Sequence, residues 1–126
     1  MKRKMKHGHT TDDEKQKQDA MTVLPADDAC YRGEIAPVLP PTVLDFHTHT
    51  WSADNWKERP WDTEKGGGRY MVTNAFYPPE QLLADGRACF PDRVYEAVCF
   101  GTPTPAADWD KDTAYVAAAA RAHRGL

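Results

Sequence analysis

Long apolar runs are missing from these 126 residues. No stretch reaches the ~18 apolar residues that cross a bilayer, so no membrane partner is expected. The basic start Met1-Lys2-Arg3-Lys4-Met5-Lys6 lacks the apolar segment of ~7–15 residues that would make it a secretion signal. Cysteine is scarce. The 3 present, Cys30, Cys89 and Cys99, are odd in number, far apart and without a Cys-x-x-Cys spacing. That excludes a disulfide frame and a thiolate zinc site, and it points to reduced thiols in a cytoplasmic protein. Charge of one sign is also in short supply. A formal net charge of −3 gives no basic footprint for nucleic acid or an anionic surface.

Polar residues crowd the front of the chain. Lys, Asp, Glu, Gln and His dominate up to Asp19, leaving little apolar surface to offset ordering entropy. Residues 1–38 therefore read as a disordered polar arm, with Met21 a second candidate start, and residues 39–126 as the folded part. Pro37, Pro40 and Pro41 lead into a strand near 42–48. A long segment from Trp51 to Tyr77 reads as an extended loop, and loops of that length commonly carry function. Trp51, Trp56 and Trp61 in it suit either a substrate pocket or packing of the loop, and Gly66-Gly67-Gly68-Arg69 reads as a flexible turn.

Pro78-Pro79-Glu80 opens a helix whose stripe is Leu82, Leu83, Gly86, Cys89 and Phe90. Val94–Phe100 is a second strand, and a last helix runs from about Thr113 to Arg124, with Gly125 as its stop and His123 as a partner for its negative end. Cys89 and Cys99 fall on apolar faces and are expected to be small buried hydrophobes. Strands alternating with helices predict an α/β fold with parallel pairing.

Asp45-Phe46-His47-Thr48-His49-Thr50 carries the chemistry. Alternate residues of a strand share a face, so regular alternation puts Asp45, His47 and His49 together. Neutral imidazole is a common ligand for divalent metals, and paired histidines at a rigid strand end make half of a metal site. Asp45, beneath them on the same face, is the natural carboxylate to orient a histidine or a bound water. His7-Gly8-His9 has the same spacing but no strand to hold it, and it is assigned no role.

Leu44-Asp45-Phe46-His47-Thr48-His49 resembles the Asp-x-His-x-His first-strand motif of the amidohydrolase superfamily. The element order after it, with Pro79-Glu80-Gln81-Leu82-Leu83 on the helix and Val94–Phe100 as the next strand, resembles the amidohydrolase-2 branch over residues 42–126. The resemblance implies the incomplete N-terminal part of a (β/α)₈ TIM barrel, since a whole one takes ~250 residues. It implies His47 and His49 as ligands of a divalent metal, Zn²⁺ first, with Mn²⁺ or Fe²⁺ also compatible with nitrogen donors. It further implies a metal-dependent hydrolase or decarboxylase acting on a small-molecule substrate: a small carboxylate, a lactone or an aromatic acid. The catalytic residues are then expected on later strands, and the 126-residue chain alone is expected to be inactive.

Two alternatives accompany that reading. His47-Thr48-His49-Thr50 with Asp54 is also similar to the first motif of the polymerase-and-histidinol-phosphatase (PHP) phosphoesterases, although Ala53 stands where that family has serine and Phe100-Gly101-Thr102-Pro103 replaces its Thr-Asp-His. The other alternative is a barrel remnant without catalysis.

Overall fold

A computed structural model describes residues 21–58 and 74–126. Its centre is a pair of parallel strands, β1 (Thr42–His49) and β2 (Val94–Phe100), joined through a helix that crosses one face of the sheet. In order, the helices are α1 (Pro25–Cys30), α2 (Pro79–Cys89) and α3 (Trp109–Ala122).

β2 reads its pattern out directly. Tyr95 and Ala97 are buried while Val94, Glu96, Val98 and Phe100 are exposed, the period of two that a strand covered on one face produces. α2 supplies the cover. Pro79 sits in its first turn, where the missing N–H costs nothing, and Leu82, Leu83 and Gly86 form its buried stripe. Leu83, Tyr95 and Ala97 make the core, with Phe90 and Leu126 packed against it. Phe90 lies nearly parallel to Tyr95, with ring centroids 6.1 Å apart. After α3 the chain turns at Gly125, whose φ of 105° is cheap only for glycine, and the Gly125 carbonyl accepts the Ala97 N–H at 2.7 Å.

The expected front of a (β/α)₈ barrel is not what the structure contains. The described residues form a small α/β unit with two parallel strands and three helices. Barrel closure requires a sheet that continues around all its strands and encloses one face. Here the helices cover one face, and the other leaves Leu44, Phe46, Val94 and Phe100 exposed.

Several details also differ from the sequence expectation. The arm assigned to residues 1–38 contains α1 and a π-helical turn, Tyr31–Ile35, while its first twenty residues lie outside the described ones. One aromatic anchors this segment: Tyr31 is buried edge-on against Phe90, and its hydroxyl donates to Asp92. Cys89, expected to be buried, is exposed, because Phe90 takes over the contact with the core; Cys99 is half-buried. α3 starts at Trp109, earlier than the sequence suggests, since Asp108 caps it by accepting the Lys111 N–H at 3.4 Å. α3 also ends sooner than expected, at Ala122: His123 leaves the helical conformation, its N–H donates to the Ala119 carbonyl at 2.9 Å, and its ring reaches Glu80 at 3.3 Å. Among the described residues no helix is long and apolar enough to cross a membrane.

Candidate functional site

The pairing register decides where the histidines go. Asp45 pairs with Ala97 but Thr48 pairs with Cys99, so β1 takes three steps where β2 takes two. One extra residue on a strand is a β-bulge, and it moves every later side chain to the opposite face. Asp45 is in register with Ala97, on the side of the sheet that α2 covers. Beyond the bulge, Thr48 takes the covered side and His49 is in register with Phe100, on the open side. The expected common face of Asp45, His47 and His49 is thus split, and the histidines stay together. Their rings meet edge-to-face at 5.2 Å, with His47 also 5.6 Å from Phe100.

Asp45 has partners of its own. Its carboxylate accepts the Tyr95 hydroxyl at 3.3 Å and the backbone N–H of His47 at 3.3 Å. It meets His47 through the backbone rather than the ring. Burial, and then the neighbouring Asp45 charge, push the Tyr95 phenol from an ordinary 10.0 up to about 12. A phenol whose folded value is raised favours the protonated form. Its contribution to stability is complete below the unfolded value and is lost as pH climbs through the folded one. The thermal midpoint should therefore fall between pH 10 and about 12, and Tyr95→Phe should flatten that fall. Melts at stepped alkaline pH decide the point, and an equally steep decline in the variant would refute it.

His47 and His49 line a cavity of about 560 Å³. Phe100, Pro103 and Trp109 give it an apolar wall, and Gly101, Thr102 and Asp112 lie at its base. Such a mix of apolar surface and a few polar groups is typical of small-molecule sites. His49 Nδ1 lies 3.1 Å from the Gly101 carbonyl oxygen. A carbonyl can only accept, so Nδ1 carries the proton and Nε2 keeps the ring's lone pair.

Asp112 is the buried charged residue at this site that sequence reasoning missed. It is 2% exposed and accepts the Thr102 N–H and, at 2.6 Å, the Asn55 side-chain N–H. Asn55 in turn accepts the Ser52 hydroxyl at 2.7 Å. Sequence marks Asp112 only as an acid near a helix start, which ordinarily means a solvated partner for the helix dipole. A glycine-threonine step at a strand end, with an aspartate in the first turn of the next helix, was the available signal.

The other candidates sit elsewhere. Trp51 packs on Tyr77 at 5.4 Å and on Trp56 at 6.0 Å, and the two indoles donate to the Asn74 and Ala75 carbonyls, so they tie residues 51–56 to residues 74–77. Asp54 is exposed on the short turn Ala53–Asn55. His7, His9, Trp61 and the Gly66–Arg69 stretch lie outside the described residues. Among the described residues no third His, Cys, Asp or Glu joins the histidine pair in a metal-holding group. The pair supplies two nitrogens, which suits part of a Zn²⁺ coordination sphere and leaves positions for water or substrate. No protein-family model, curated protein or solved structure matches this chain.

Proposed function

We propose that His47 and His49 hold a divalent metal ion, Zn²⁺ in the first instance, in a site for hydrolysis or decarboxylation of a small carboxylate, lactone or aromatic acid. The observation that carries this reading is the pair of imidazoles brought edge-to-face on one cavity by the bulge, with His49 Nδ1 already committed to a carbonyl. The resemblance of Asp45-Phe46-His47-Thr48-His49 to an amidohydrolase first strand supplies the reaction class. When bound, such an ion offers Lewis-acid activation of water and of a substrate carbonyl at neutral pH.

The chain's own contribution is binding and orientation. Phe100, Pro103 and Trp109 fit an apolar or aromatic portion of substrate, directing its polar end toward the histidines. Trp109 is 61% exposed, and its indole N–H is held by the Thr104 carbonyl at 3.0 Å, so one face of the ring remains for contact.

Equilibrium dialysis of the purified chain against Zn²⁺ tests the reading. About one equivalent should be retained and should vanish in the doubly substituted His47→Ala, His49→Ala protein. Equal retention by both proteins would mean that the histidines hold no metal.

A further inference from the structure

We propose that Asp112 is a positioning residue for His49, acting through the peptide bond between Gly101 and Thr102. Its importance for metal binding rests on the reading of His49 as a ligand, whereas the positioning itself belongs to the metal-free protein.

The argument follows the geometry of one peptide group. A trans peptide is planar, with its C=O and N–H pointing in opposite directions. The N–H of this one, on Thr102, is held by Asp112 Oδ2, and the C=O, on Gly101, lies 3.1 Å from His49 Nδ1. Fixing one end of a planar group fixes the other, so the carboxylate aims the carbonyl at the ring. A charge-assisted bond at the N–H also polarises the carbonyl and strengthens it as an acceptor.

Two features show that the arrangement is built in. Asp112 is buried and cannot swing away, because Asn55 holds its other oxygen at 2.6 Å. A Cβ at Gly101 would stand 2.7 Å from Asp112 Oδ2, so only glycine lets the carboxylate come this close to the strand end. In water a neutral histidine side chain prefers its proton on Nε2. The Asp112–peptide–His49 relay reverses that preference and leaves Nε2 as the ring's only lone pair, a choice set by the hydrogen bond at the other nitrogen.

The test is long-range ¹H–¹⁵N correlation NMR of the labelled, metal-free chain at about pH 8, above the imidazole range. His49 should show a protonated Nδ1 and a bare Nε2. Asp112→Asn, whose carboxamide oxygen cannot serve both donors, should shift His49 toward the Nε2–H form while His123 keeps its pattern. Gly101→Ala, which displaces the carboxylate without removing it, should do the same and covers the case in which Asp112→Asn folds poorly. A wild-type His49 in the Nε2–H form overturns the proposal, and so does an unchanged tautomer in both variants. Zn²⁺ dialysis of the same samples separates the two readings. A shifted tautomer with about ten- to a hundredfold weaker Zn²⁺ binding supports both. A shifted tautomer in a chain that never binds Zn²⁺ keeps the positioning and removes the metal. Zn²⁺ binding with an unmoved tautomer does the reverse.

Discussion

Asp112→Ala is expected to destabilise this protein by about 2–4 kcal/mol. The substitution removes the acceptor of two buried donors, the Thr102 N–H and the Asn55 amide, and each unsatisfied donor costs about 1–3 kcal/mol. Loss of the carboxylate's own desolvation penalty offsets part of this, as does any water that follows into the space. The donors still decide the sign, because they are neutral groups fixed in place by a strand end and a short turn. Asp112→Asn should cost less, about 1–2 kcal/mol, since one of the two bonds survives. Urea unfolding of the three proteins checks both size and order. If alanine came within about 0.5 kcal/mol of wild type, the network would be slack and Asp112 could not aim a peptide.

The histidine pair was legible in the sequence; the face that carries it was not. From Asp45 onward the sequence sets Asp45, His47 and His49 at odd positions and Thr48 and Thr50 at even ones. On the covered side, β1 places Val43 and Asp45 opposite Tyr95 and Ala97 and ends with threonines. Thr48 donates to the Val98 carbonyl, and the fully buried Thr50 donates to the Tyr77 carbonyl. Moving from odd to even residues on one side requires one extra residue. That requirement comes from β2 and from Tyr77, fifty and twenty-seven positions away, which no local periodicity can register.

α2 and β2 were legible for the opposite reason. Proline at the helix start, a stripe at Leu82, Leu83 and Gly86, and strict alternation in β2 are local signals, and packing agreed with them. The barrel was borrowed from the resemblance of a short motif. Six residues specify a strand end, whereas strand number is a property of the whole sheet, and the described residues provide two. Asp112 escaped notice because its role depends on a contact with the backbone of Thr102 that exists only once α3 docks beside β2.

Gly86→Ala should destabilise the chain although it improves the helix. In the interior of a helix alanine is better than glycine by about 1 kcal/mol, so propensity alone predicts a gain in α2. Position 86 is buried, however, and a Cβ there would overlap the Tyr95 ring. The ring has little freedom to yield. It is 7% exposed, stacked on Phe90, and tied through its hydroxyl to Asp45 at 3.3 Å. Overpacking of this kind costs about 1–3 kcal/mol, and against a ring this confined it outweighs the propensity gain and leaves a net loss of up to about 2 kcal/mol. The cause is testable apart from the size. Tyr95→Val shortens the obstructing side chain and should cost stability by itself, yet in that background Gly86→Ala should become neutral or favourable. A double-mutant cycle in denaturant measures the difference, and strictly additive effects would place the cost somewhere other than the α2–β2 contact. That contact matters beyond stability, because β2 runs directly into Gly101 and Thr102, and the carbonyl that holds His49 is aimed only as well as the strand leading to it is seated.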